Sequence, residues 1–240
     1  YNYPNLVNRK KGEYLTDRLG TEACKFIEAY KEKPFFLYLT HYAVHTPIQG
    51  KADLTAKYKK KKPVGGHNNP AYAAMVESMD DSIGAVQATL KRLKLDDNTI
   101  VIFFADNGGH AGVTSNAPLR GSKGMLYEGG IREPLAIKWP GVTKPGSTCH
   151  EPVIAVDFYP TLLKASGVQP DAKQKLDGVS ILETWRNPDV APKREALHWH
   201  YPVDRPHFLG GVSGGAIRVG DWKLLEFFDP ARKGKYELYN

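Results

Sequence analysis

The sequence contains few cysteines and no long hydrophobic run. Cys24 and Cys149 are its only cysteines, and no Cys-x-x-Cys pair occurs, which argues against a zinc site built from thiolates. A disulfide between the two cannot be inferred from sequence. No stretch approaches the roughly eighteen consecutive apolar residues of a membrane-spanning helix. The first fifteen residues also lack the apolar core of a signal peptide.

The composition is that of an ordinary globular protein. Hydrophobic residues make up 41% and charged residues 25% of 240 residues, which is enough to bury one sizeable core. Lysine and arginine exceed aspartate and glutamate by 33 to 26, giving a net charge of +7. This excess would attract anionic ligands without identifying them. We interpret the lysine run at 59–62 as part of a solvated loop.

Helical and extended patterns alternate along most of the chain. Three- and four-residue spacing of apolar residues predicts helices over 16–33, 72–93 and 158–166, the last closed by Gly167. Continuous apolar runs at 35–40, 99–106, 134–141 and 152–157 predict buried strands. We therefore predict an α/β fold over residues 1–195, with helices on both faces of a layered, mostly parallel sheet. Short strands over residues 196–240 predict a small antiparallel appendage.

Polar residues follow two of the predicted strands. "FFADNGGH" places Asp106 and Asn107 at a strand exit, where carboxylate and amide oxygens could hold calcium or magnesium. "DNGG" is equally a good turn sequence. "FFLYLTHYAVHTP" leaves its strand with His41 and His45. In "LRGSKGMLYEGGIREP", Lys123 lies in a glycine-flanked loop that could approach an anion closely.

These segments together resemble the sulfatase family, of the formylglycine-dependent arylsulfatase type within the alkaline phosphatase superfamily. The matching stretches include "PFFLYLTHYAVHTP", "TIVIFFADNGG", "LRGSKGMLYEGGIREPLAIKWPG" and the terminal "AIRVGDWKLL…YELYN". They span nearly the whole chain in the family's order. The resemblance implies a sulfuric ester hydrolase with an alkaline phosphatase-like fold, in a periplasmic or secreted location.

The resemblance also implies roles for individual residues. Asp106 and Asn107 would bind a divalent cation, calcium in most members and magnesium in the alternative. His45 would contact the sulfate and protonate the departing alcohol, while Lys123 would bind a sulfate oxygen and the bridging oxygen. His200, in "HWHYP", would touch a sugar, although packing among aromatic residues explains that segment equally well. Arg120, Glu128 and Arg132 are expected to brace the lysine loop.

The family's nucleophile motif is absent from this sequence. Formylglycine is made from Cys or Ser in Cys/Ser-x-Pro/Ala-x-Arg, and the nearest match, "SNAPLR" from Ser115, has its arginine one place too late. The family's first strand, with two metal-binding acids, is also missing. We therefore expect this chain to be the carboxyl-terminal portion of a sulfatase whose nucleophile lies in a missing N-terminal portion, with residues 196–240 a truncated subdomain. Alone, it should bind calcium weakly and hydrolyse no sulfate ester.

Two other functions fit the residues less well. A phosphomonoesterase or phosphodiesterase of the same superfamily would build two metal sites from additional Asp and His ligands. A non-catalytic module that binds sulfated glycans would fit the basic charge, but it would leave Lys123 and Asp106 without a purpose. We expect the substrate to be an aryl or glycan sulfate ester, and we expect neither nucleic acid nor a membrane as a partner.

Overall fold

The computed structural model describes residue 6, residues 10–230 and residues 234–240. The chain divides into two compact units: residues 1–99 with 112–115 form the first unit, and residues 100–111 with 116–240 form the second. The helices of the described residues are α1 (Leu15–Tyr30), α2 (Ala52–Lys59), α3 (Pro70–Arg92), α4 (Glu128–Ile131), α5 (Phe158–Ser166) and α6 (Leu182–Arg186). The strands are β1 (Val101–Phe104), β2 (Leu135–Lys138), β3 (Leu197–Tyr201), β4 (Gly214–Val219), β5 (Trp222–Phe227) and β6 (Tyr236–Tyr239).

The first unit is a packing of α1 and α2 against the long helix α3. Asn69 caps α3 by accepting a hydrogen bond from the Tyr72 amide at 3.0 Å, and Pro70 occupies the first helical turn. A side chain at Gly20 would collide with Ser82, so the glycine lets α1 approach α3 closely. The predicted helices over 16–33 and 72–93 are therefore confirmed within a few residues.

The predicted strand at 35–40 is not formed. These residues belong to no sheet in the described part of the chain. Their burial alternates, with Phe36 73% and Tyr38 79% exposed. The prediction was wrong because an apolar run shows only that a segment is suited to burial on both faces. A strand also needs a neighbouring backbone to accept its hydrogen bonds.

The second unit contains two antiparallel sheets. β1 pairs with β2, from Val101 opposite Lys138 to Phe104 opposite Leu135. The connection between them, residues 105–134, contains one short helix, α4, and returns the chain in the antiparallel direction. The parallel pairing we predicted is therefore not found among the described strands. Helices α5 and α6 cover this sheet, and their core centres on Ile181 and Trp185. Helices packed on a sheet confirm the α/β class.

A second correction concerns residues 152–157, which do not form a strand. Ala155–Asp157 form a 3-10 turn that leads into α5. The Asp157 carboxylate is completely buried and accepts hydrogen bonds from the amides of Ile154 (2.9 Å) and Val179 (3.1 Å). It also pairs with the Arg194 guanidinium. A buried carboxylate needs several donors, and collecting them folds the chain into a turn. Gly167 ends α5 in the left-handed conformation, as predicted.

The C-terminal sheet has the order β3-β4-β5-β6, all antiparallel. It begins at Leu197, close to the residue where we predicted an antiparallel appendage. Its buried face is built on Ala216, Leu225 and Phe227. Leu126 and Tyr127 of the lysine loop pack against the same face. The sheet thus supports the loop that carries Lys123. In the described residues, no helix has the length and apolar character needed to cross a bilayer.

Candidate active site

The loop after β1 carries Asp106 and Asn107 and is held tightly against the lysine loop. The Gly108 amide donates to the Gly130 carbonyl at 3.1 Å. A side chain at Gly108 would overlap the backbone of Gly129, so this approach requires glycine. Asp106 is exposed and Asn107 is half-buried. The two potential ligands therefore lie on a turn that is held against the lysine loop.

Gly109 joins the Asp106–Asn107 turn directly to Lys123. Its carbonyl accepts hydrogen bonds from the Lys123 amide at 3.2 Å and from Asn116 Nδ2 at 2.9 Å. The Gly109 amide donates in turn to Asn116 Oδ1 at 2.9 Å. Within the second unit, two segments predicted separately from sequence are thus brought together. A lysine cation and a carboxylate-amide pair at one edge can bind an anion and a metal cation side by side.

Ion pairs fix the far side of the lysine loop on the C-terminal sheet. Glu128 accepts a hydrogen bond from Lys223 at 2.9 Å and lies 3.9 Å from Arg218. Burial lowers the pKa of Lys223, and the hydrogen bond to Glu128 partly offsets this effect. The Lys223 ammonium also lies 5.5 Å from the centre of the Trp199 ring. As expected, Glu128 braces the loop.

Arg120 forms the second brace. Its guanidinium lies 4.1 Å from the centre of the Tyr127 ring and pairs with Glu237 at 3.3 Å. It also donates to the Tyr239 hydroxyl. Burial and the neighbouring Glu237 carboxylate raise the pKa of Tyr239 to about 12. Arg120 therefore links the lysine loop to β6. For Arg132 the backbone gives one contact, its amide donating to the Glu128 carbonyl at 2.8 Å.

Sequence reasoning did not identify Glu133, which lies near Asp106. Its Oε1 atom is buried and has no hydrogen-bond partner in the described part of the chain. Burial, and secondarily the negative charge of Asp106, raise the pKa of Glu133 to about 7. The sequence signal that could have identified Glu133 is an acidic residue between "GGIR" and the strand segment "PLAIK". Two acids this close make a region where a bound cation would be stabilised.

The described residues supply only part of a cation's ligands. They contain no group of three or more His, Cys, Asp or Glu side chains arranged to hold a metal. Asp106 and Asn107 nevertheless offer hard oxygen donors, and Glu133 places a further carboxyl group near them. This chemistry fits calcium or magnesium, which prefer oxygen ligands. Calcium takes about six to eight oxygens, so most of its ligands would have to come from elsewhere.

His45 lies in the first unit, on the irregular segment before α2. Its Nδ1 lies 2.9 Å from the Thr46 carbonyl oxygen, which can only accept, so Nδ1 carries a proton. The Tyr42 ring lies 5.2 Å from the imidazole. His45 is exposed and lines a cavity of about 150 Å³ together with Tyr14 and Arg18. With Nδ1 protonated, Nε2 can donate a proton only from the imidazolium form.

The other histidines differ in their surroundings. His41 packs against α3, where its ring contacts Ser82 Oγ at 3.3 Å. Burial lowers the pKa of His41 and so favours the neutral imidazole. His200 is exposed on β3, with its ring 5.4 Å from that of Phe228. Its predicted contact with a sugar remains a prediction. Cys24 and Cys149 are both free thiols.

Comparison with known proteins connects this geometry to a family. A family model described as Sulfatase matches residues 1–168, and one described as N-sulphoglucosamine sulphohydrolase, C-terminal, matches residues 122–240. A protein named Sulfatase from Formosa agariphila is 41% identical over 245 residues, covering 95% of this chain and 44% of that protein. The chain therefore spans less than half the length of this curated relative.

Solved structures of similar proteins also cover nearly the whole of this chain. The structure of Ps i-CgsB in complex with k-i-k-neocarrahexaose is 32% identical with a TM-score of 0.83, covering 98% of this chain and 50% of that one. The structure of BT4656 in complex with its substrate D-glucosamine-2-N,6-O-disulfate is 25% identical with a TM-score of 0.60, covering 92% and 39%. These similarities confirm the predicted alkaline phosphatase-like fold.

Proposed function

Because the chain belongs to the sulfatase family, we propose that it is part of an enzyme that hydrolyses a sulfuric ester. The observation that carries the proposal is the hydrogen bond from the Lys123 amide to the Gly109 carbonyl, at 3.2 Å. It holds a lysine beside the turn that bears Asp106 and Asn107. Two glycine-rich segments thus lie side by side, an arrangement that suits a shared ligand.

Lys123 and His45 take complementary roles in the proposed reaction. Breaking the S–O bond of a sulfate ester builds negative charge on the leaving oxygen. The Lys123 ammonium stabilises that charge in the transition state. A protonated His45 donates a proton from Nε2 to the leaving alcohol, since its Nδ1 proton is engaged by the Thr46 carbonyl.

Asp106 and Asn107 would hold the divalent cation, which we propose to be calcium. When bound, the cation polarises the sulfuryl oxygens. Glu133 places a second acidic group close to this position, outside the turn itself. The nucleophile, a formylglycine, would be supplied by a segment outside these 240 residues. The periplasmic or secreted location is likewise a proposal from the family.

We propose a sulfated glycan as the substrate class. Two similar solved structures are described in complex with saccharides: a neocarrahexaose, and the disulfated glucosamine described as that protein's substrate. The C-terminal sheet and the lysine loop, which match a sulphohydrolase C-terminal family model, form one packed body in the second unit.

The test compares matched aryl sulfate and aryl phosphate substrates in the complete protein that carries this chain. We expect the sulfate to be preferred and Lys123→Ala to lower its turnover by roughly a hundred- to a thousandfold. Lys144→Ala, an exposed lysine of the same unit, serves as the control and should have no effect. The 240-residue chain alone should show no turnover.

Three results would contradict the proposal. Preference for the aryl phosphate would favour the phosphoesterase alternative. Equal loss in both lysine variants would mean that Lys123 has no specific role. Binding of a sulfated polysaccharide that survives both Lys123→Ala and Asp106→Ala, without any turnover, would favour a non-catalytic glycan-binding module.

A further inference from the structure

A tight turn between β3 and β4 packs directly on the residue that follows Lys123. The His207 amide donates to the Gly211 carbonyl at 2.6 Å, and the Gly210 amide donates to the His207 carbonyl at 2.8 Å. A side chain at Gly124 would collide with the His207 ring, and one at Gly211 would collide with the Gly124 carbonyl. The turn 207–211 therefore lies in contact with Gly124, the residue that follows Lys123.

Phe208, at the tip of this turn, extends into solvent beside the candidate anion site. It is 75% exposed. Its ring centre lies 4.5 Å from that of His207 and 5.5 Å from that of His110. His110 directly follows Gly109, the residue whose carbonyl accepts the Lys123 amide. The three rings, which we call the aromatic platform (His110, His207, Phe208), thus border the junction of the two site loops.

The hydrogen bonds of His207 determine what its ring can offer to a ligand. The Leu209 amide donates to His207 Nδ1 at 3.2 Å, so Nδ1 acts as an acceptor. In the neutral ring the proton therefore resides on Nε2, which is a donor. A hydroxyl or a sulfate oxygen could accept it. The aromatic platform combines an apolar ring face with a polar donor next to a cationic lysine.

Such a surface suits a sugar ring better than a bare anion. A pyranose presents apolar C–H groups on one face and hydroxyls at its rim, which matches an aromatic face bordered by donors. Single exposed apolar residues are common and do not by themselves indicate a binding site. Phe208 differs from them because two imidazoles contact its ring and both adjoin the loops that meet at Lys123.

We propose that the aromatic platform binds the sugar ring whose sulfate lies at Lys123, with Phe208 as the packing surface and His207 as a hydrogen-bond donor. This inference rests on the proposed function and deepens it. It also assigns a binding role to His207 and Phe208, in the connection that follows the strand carrying His200.

The test measures binding by isothermal titration calorimetry to the complete protein that carries this chain, with its nucleophile changed to alanine so that no probe is hydrolysed. Calcium is present, and there are three probes. The probes are inorganic sulfate, D-glucosamine-2-N,6-O-disulfate and k-i-k-neocarrahexaose. We expect at least one sugar sulfate to bind more tightly than inorganic sulfate. Phe208→Ala should weaken that sugar's binding by about tenfold while leaving inorganic sulfate unchanged. Lys123→Ala should weaken both.

Trp222→Ala is the matched control, because Trp222 is an aromatic residue of the same unit that is 53% exposed, at the far end of the β4–β5 hairpin from Gly214. It should leave all three affinities unchanged. If neither sugar binds more tightly than inorganic sulfate, or if Phe208→Ala changes nothing while Lys123→Ala weakens binding, the aromatic platform is refuted and the proposed function stands. If Lys123→Ala leaves all three affinities unchanged, the proposed function itself fails.

Discussion

Replacing Glu133 by glutamine tests the electrostatics of the candidate cation site. Burial and the nearby Asp106 charge raise the pKa of Glu133 from an ordinary 4.5 to about 7. A raised carboxyl pKa means that the folded state holds the proton more tightly than the unfolded state. The free energy of unfolding therefore falls as the pH rises from about 4.5 to about 7, and the cost stays constant above that range.

The size of this cost follows from the pKa and the exposure of the group. Without solvent screening, the difference between a pKa of about 7 in the folded state and 4.5 in the unfolded state lowers the free energy of unfolding by about 3 kcal/mol at pH 8. Glu133 is only partly buried, and solvent screening reduces the figure to about 1–2 kcal/mol. In the metal-free chain, Glu133→Gln should thus stabilise the fold by that amount at pH 8 and leave it nearly unchanged at pH 4.

Urea denaturation with a chelator present, followed by circular dichroism at pH 4, 5.5 and 8, measures this difference. Glu195→Gln removes an exposed carboxyl of the same unit and should have no effect at any pH. If Glu133→Gln unfolds at the same urea concentration as the unmodified chain at pH 8, the carboxyl is not desolvated. The argument that a cation is favoured beside Asp106 would then lose its electrostatic support.

Two further predictions concern packing in the second unit. Arg194→Ala leaves the Asp157 carboxylate buried without its cation, and we expect a loss of about 3–5 kcal/mol in urea denaturation; a loss below about 1 kcal/mol would show that the two backbone amides suffice. Gly108→Ala should cost about 1–3 kcal/mol because the new methyl group overlaps the Gly129 backbone. Its control is Gly84→Ala in α3, which has open space around it and should stabilise the helix by about 0.5–1 kcal/mol. Equal effects of the two glycine changes on the melting temperature would contradict the close approach at Gly108.

Local sequence signals predicted most of the regular elements. Helices α1, α3 and α5, strands β1 and β2, and strands β4 to β6 follow from apolar spacing, continuous apolar runs and the glycine stop of α5, which depend on residues only a few positions apart. The candidate site residues Lys123, Asp106 and Asn107 were also proposed from sequence, through glycine-rich loops at strand ends and the resemblance that they support, and their roles stay predictions.

Only the tertiary structure decided which of these segments meet. The contact of Lys123 with Gly109, the burial of Glu133 beside Asp106, and the packing of His207 on Gly124 join residues that are between 14 and 83 positions apart. The apolar run at 35–40 also shows that sequence alone does not reveal which segments pair. Its composition suits a strand, but no described backbone pairs with it. Chain distance hides such pairings, because hydrogen bonding and desolvation depend on separation in space.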